Sequence, residues 1–158
     1  MAFRFRYQRI LDVRRQQEKA KAQEVARRQA AVFRQKQVLE ELERSWQEER
    51  RAWLNAGEAG GSARDLQFQI NVLDSLQRKI EQARFELAKL SDQLNRAREE
   101  LVELMKQRKV FEKLEERDRA AYEARQNRLD QMMLDEIATA RQWRAQLEQT
   151  RSRSSKAK

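Results

Sequence analysis

The 158-residue chain contains no proline, no cysteine and no histidine, and only three glycines. Each absence removes a class of structure or chemistry. Without Cys or His there is no disulfide, no thiol redox chemistry, no Cys/His metal site and no histidine general base. Without proline, and with Gly57, Gly60 and Gly61 confined to five positions, the chain lacks the turn residues that a sheet protein needs. Sheets are therefore excluded first. The segment Gly57-Glu58-Ala59-Gly60-Gly61-Ser62 has neither the spacing nor the lysine of a phosphate-cradling loop. No apolar run reaches 18 residues, and the start has no signal-like apolar stretch. These exclusions predict a soluble, intracellular, non-enzymatic protein with no cofactor, no metal and no small-molecule substrate.

What is present is charge and helix-forming residues: 39% charged and 39% hydrophobic, the latter rich in Leu and Ala. The net charge of +9 is uneven. Residues 1–36 hold eleven Lys/Arg against three acids, and 141–158 hold six against one, so both ends are basic and the middle is mildly acidic. Acidic partners at the ends fit this distribution better than a nucleic-acid stripe along the whole length.

The second half carries the clearest period. Leu73, Leu76, Ile80, Ala83, Leu87, Leu90, Leu94, Ala97, Leu101 and Leu104 alternate at steps of three and four, a heptad seam with no polar member. Beyond Arg108 the pattern drifts through Phe111, Leu114, Tyr122, Leu129, Met132, Met133 and Ile137, as a locally unwound supercoil would. In the first half Val25, Val32, Leu39, Trp46 and Trp53 recur every seven residues, with Leu11 in register, but Arg28, Gln35 and Glu49 fall at companion positions. Such a helix is marginal alone and needs a better-patterned neighbour.

Asn55-Ala56-Gly57 reads as a helix end, and Ser62-Ala63-Arg64-Asp65 as an N-cap with an acid at N3. The expected architecture is all-α: one elongated domain over 1–158, an antiparallel two-helix coiled-coil hairpin with helix one at about 8–56, a hinge at 57–61, a longer helix two at about 62–149 and a disordered basic tail at 150–158. At 1.5 Å per residue the helices measure roughly 73 and 130 Å, so helix one covers helix two only to about residue 110. The remainder keeps an amphipathic face that another protein or a second copy is expected to contact.

Three features have a functional and a plain reading. Phe3, Phe5 and Tyr7 interleaved with Arg4 and Arg6 form either an arm for a partner's pocket or a start stapled to the helix, and the interleaving also suits single-stranded nucleic acid. Phe68, Ile70 and Val72 lie off the seam near the hinge, either as a docking cluster or buried by a seam shift. Met132 and Met133, with Leu129 and Ile137, form either an adaptable surface or ordinary packing. Pairs such as Glu112 with Glu116 and Lys113 with Arg117 are solvated helix faces rather than catalytic carboxylates.

Two stretches resemble a known family. Phe3-Arg4-Phe5-Arg6-Tyr7-Gln8-Arg9-Ile10-Leu11-Asp12-Val13-Arg14-Arg15 with Glu18, and Lys109-Val110-Phe111-Glu112-Lys113-Leu114-Glu115-Glu116-Arg117 followed by Tyr122, Asn127-Arg128-Leu129 and Leu134-Asp135-Glu136-Ile137-Ala138, resemble the two recognisable segments of the FliJ family, coiled-coil components of the bacterial flagellar type III export apparatus. Tyr7 stands where that family usually has leucine. The resemblance implies a stalk similar to that of rotary ATPases, with both terminal segments in the pore of a hexameric export ATPase and the hairpin tip towards the export gate. It also implies contact with export chaperones, a place at the cytoplasmic face of the inner membrane held only through partners, and a part in flagellum biogenesis and motility. Carried onto this chain, the ATPase-facing residues are Phe3, Arg4, Phe5, Arg6, Tyr7, Leu11, Leu129, Met133, Asp135 and Ile137, and the gate-facing residues Phe68, Ile70 and Val72. The alternatives are a basic structural or nucleic-acid-associated coiled coil, and the equivalent stalk of a virulence secretion system.

Overall fold

The computed structural model describes residues 2–155 of the chain, which form two helices, α1 (Gln8–Glu58) and α2 (Ala63–Ser155), antiparallel and packed on each other. The fold is the expected all-α hairpin with the longer second helix. Within it two compact units are distinguished: Asp12–Arg108, and a second made from the chain's two ends, up to Leu11 and from Lys109 onwards.

In the unit Asp12–Arg108 the heptad seam does what its spacing dictates. Ile80, Ala83, Leu94 and Ala97 are buried against α1, where Val32 is buried, and Leu73, Leu76, Leu87, Leu90, Leu101 and Leu104 are half-buried. Two helices share a single interface, so most seam positions keep one open flank.

Four polar positions along α1 are answered across the hairpin. Glu18 pairs with Arg108, Lys21 reaches Glu100 at 2.6 Å, Arg28 donates to Gln93 at 3.1 Å, and the Gln35 amide donates to the Ala83 carbonyl at 3.2 Å. Polar groups on a seam are tolerated where, as for these four, a partner meets them. Lys21 also binds Glu24 at 2.8 Å. The hydrogen bond to Glu100, then that to Glu24, holds the Lys21 pKa above its ordinary value, while hydrogen bonds from Lys21 and then Arg28 hold that of Glu24 below its own.

The hinge is a Schellman closure. Gly60 lies at φ +77°, its amide donates to Gly57 at 3.4 Å, and the Gly61 amide donates to the Ala56 carbonyl at 2.9 Å. A Cβ on Gly61 would meet that same carbonyl oxygen at 3.0 Å. Gly57, expected just beyond the helix, lies inside it, and Gly60 is the capping glycine. Ser62 then caps α2, its Oγ accepting from the Arg64 amide at 3.2 Å, with Asp65 in the first turn.

At the other end, α2 continues to Ser155, so 150–155 is helical where a disordered tail is expected; the last three tail residues, 156–158, lie outside the described residues. The segment has no helix breaker, and Thr150 and Ser152 satisfy their hydroxyls on carbonyls of the preceding turn.

Candidate functional site

The chain ends form the more distinctive unit. Residues 2–5 precede α1 without regular secondary structure, and residues 6–7 form the turn that leads into it. Within Phe3-Arg4-Phe5-Arg6-Tyr7 burial alternates: the three aromatics are buried or half-buried, and Arg4 and Arg6 are exposed. Phe3 sits on Tyr122 at 5.6 Å between ring centroids, with the Arg119 guanidinium 5.5 Å over its ring. Phe5 meets Tyr7 edge-on at 5.8 Å, and Tyr7 meets Phe111 at 6.3 Å. The Tyr7 carbonyl accepts from the Leu11 amide at 3.0 Å, starting α1 beneath the arm. An open groove of about 320 Å³ runs beside it, lined by Phe3, Arg4, Phe5, Arg9, Glu115 and Arg119.

Two of the expected ATPase-facing residues lie inside the chain's own packing. Phe5 is 5% exposed and Leu11 0%, both packed in the chain's own core. Phe3 and Tyr7 are half-buried. The arm is stapled, and what it presents outward is arginine.

Beyond Gln126 the helix is bare: from Asn127 to Arg153 every residue is exposed. Leu129, Met133 and Ile137 belong to this stretch, with Met133 63% exposed. Asp135 lies about 120° around the helix from Leu129, off the apolar face. Continuing the stripe adds Met132, Trp143 and Leu147, all exposed. Trp143 and Leu147 do not figure in the sequence reading, although they follow Leu129 and Met133 at two heptads and share their face. On the arm-bearing stretch the half-buried positions are Phe111, Glu112, Leu114, Glu115, Asp118, Tyr122 and Gln126, and the face through Phe111, Glu115, Asp118, Tyr122 and Gln126 leads into Leu129 after one extra four-residue step. One helix face thus holds the chain's own arm and then runs on uncovered.

In the hairpin unit Phe68 is 68% exposed and Ile70 is exposed, while Val72 is half-buried. The three do not make one patch: Phe68 and Val72 share a face, and Ile70 points about 200° away from each. Near them the Trp53 Nε1 and Gln69 Oε1 atoms are buried without a partner. Phe33 and Phe85 are further exposed aromatics, and Phe33 with Val32, Lys36, Leu94 and Arg98 lines an open groove of about 500 Å³. No helix among the described residues is long and apolar enough to cross a membrane.

The chain is thus an all-α coiled-coil hairpin whose uncovered groups are apolar helix faces and arginines. The family model described as Flagellar FliJ protein matches residues 3–147, and the chain belongs to that family, whose members are components of the flagellar export apparatus. No curated protein and no solved structure matches the chain. The match spans both resembling segments, and the family is not a catalytic one.

Proposed function

We propose that this chain is the coupling stalk of the flagellar export apparatus, seating its terminal unit in the hexameric export ATPase and turning its hinge end to the export gate and export chaperones. The observation that carries the reading is the face of α2 that holds the aromatic arm and then continues bare through Leu129, Met133 and Ile137. A helix of this length with an unused apolar stripe is costly to leave in water, and the arginines at 4, 6 and 9 flank the arm with positive charge. ATP hydrolysis belongs to the partner; the chain contributes rigid helix and contact surface, and its place at the cytoplasmic face of the membrane follows from its partners.

The test uses purified ATPase with the full chain. Leu129→Asp/Met133→Asp is expected to reduce ATPase binding and the stimulation of hydrolysis at least tenfold, with helix content unchanged because both side chains are exposed. Wild-type stimulation by that variant rules the seat out. For the hinge end, Phe68→Ala/Ile70→Ala is expected to weaken binding to the gate's cytoplasmic domain; normal binding by a helical variant removes that assignment.

A further inference from the structure

The bare end of α2 is complementary to itself. Along it Leu129, Met133, Glu136, Ala140, Trp143 and Leu147 succeed one another at steps of four, three, four, three and four, a short heptad seam that is exposed throughout. Laid antiparallel against a second copy about a two-fold axis level with residue 138, these six positions close into alternating layers: Leu129 on Leu147, Met133 on Trp143, Glu136 on Ala140, each occurring twice. The largest side chain faces the flexible methionine, and the one acid of the seam faces the smallest residue.

Charge selects the same arrangement. Residues 127–138 carry Asp130, Asp135 and Glu136 against Arg128, whereas residues 139–153 carry Arg141, Arg144, Arg151 and Arg153 against Glu148. Antiparallel pairing sets the acidic half of one copy beside the basic half of the other, and at the seam's edge it brings Asp130 opposite Arg144 of the second copy, twice. Parallel pairing sets like halves together. On the same edge Ile137 meets Ile137 across the axis.

We infer that the bare end of α2 is a self-association surface, on which a second copy of this chain docks antiparallel through residues 129–147. Each of the seven apolar side chains on the face, Met132 included, gives up roughly 60–120 Å². Over two copies the total is on the order of 1,000 Å², the lower end for a specific interface. The inference goes beyond the stalk reading and does not rest on it. Both uses need the same face, so a paired copy is one not seated on an ATPase.

The absence of cysteine makes the test direct. Sedimentation of the full chain alone, from about 1 to 200 µM, is expected to show a monomer–dimer equilibrium. Trp143→Asp should weaken it at least tenfold with unchanged helix content. Asp130→Arg or Arg144→Asp alone should weaken it, and the two together should restore it. Under mild oxidation Ile137→Cys should link into a covalent dimer while Leu129→Cys does not, because two-fold pairing puts the two Leu129 positions about 27 Å apart along the axis. A monomer at every concentration overturns the inference, as does linkage of Leu129→Cys equal to that of Ile137→Cys, or failure of the charge-swapped pair to restore association. The ATPase assay above is read independently, so self-association can fail while the stalk reading stands.

Discussion

Replacing Phe5 by alanine separates the docking of the arm from the folding of the hairpin. Removing a buried phenylalanine costs about 3–5 kcal/mol in a rigid core, and Phe5 is 5% exposed with its ring against Tyr7. The arm, however, is short and non-helical before Gln8. Ordering each of its residues costs about 1–2 kcal/mol of conformational entropy, so docking is a near-balanced sum and the loss saturates once the arm lifts away. A local loss of about 2 to 2.7 kcal/mol corresponds to a roughly 30- to 100-fold rise in opening. Amide hydrogen exchange reads it where it falls: the Gln8 amide, bonded to the Phe5 carbonyl, and the Leu11 amide, bonded to that of Tyr7, should exchange faster by that factor. Amides around Val32 and Leu94, in the other unit, should stay within about threefold. Unchanged exchange at Gln8 and Leu11 refutes Phe5 as the anchor, and equal acceleration along the chain refutes the division into two units.

Two further expectations concern the hairpin. Glu24, held below its ordinary pKa of 4.5, contributes stability that is present above that value and lost as pH falls through its lowered folded-state value; Lys21, held above 10.5, contributes stability that is full below that value and lost as pH rises through its raised one. Urea midpoints across pH should thus fall on both sides of a neutral plateau. Lys21→Met should flatten the alkaline limb and part of the acid limb, and limbs unaltered by that change would contradict the pairing. At the hinge, Gly57→Ala should raise the melting temperature, since a Cβ there meets nothing within 4 Å and alanine in a helix is favoured by about 0.5–1 kcal/mol. Gly60→Ala at φ +77° should lower it by the equivalent of about 1–2 kcal/mol. Equal effects of one sign would show that the two glycines are not distinguished by their backbones.

The seam from Leu73 to Leu104 is readable from spacing alone because every member is apolar. The continuation is not, because Arg108, Glu115 and Asp118 take seam positions and erase the hydropathy signal while the helix geometry persists. For Arg108 the reason is a partner 90 residues away in sequence, Glu18. The same blindness hides Trp143 and Leu147: one extra four-residue step near Tyr122 shifts the face, and a strict heptad carried past it points elsewhere. The helix end moves from Gly57 to Gly60 because three glycines within five residues leave the αL position ambiguous until the Ala56 carbonyl is seen to need the Gly61 amide. Arm burial likewise depends on whether residues 2–7 fold back on α2. The Phe-Arg alternation permits that, and Tyr122 with Phe111 provides the surface that makes it worthwhile.

The polar seam has a consequence for alternative pairings of the hairpin. Helices joined only by leucines gain nearly as much when displaced by one repeat as in their proper alignment. Here a displacement of seven residues moves Glu18 from Arg108 to face either Leu101 or Glu115, and so trades an ion pair for a stranded carboxylate or a like-charge clash. A penalty of about 1–3 kcal/mol for one unsatisfied group already lowers a misaligned population by roughly five- to 150-fold. Misaligned hairpins are therefore short-lived and return to the native alignment, and the groups that weaken the seam are the ones that give it a single solution.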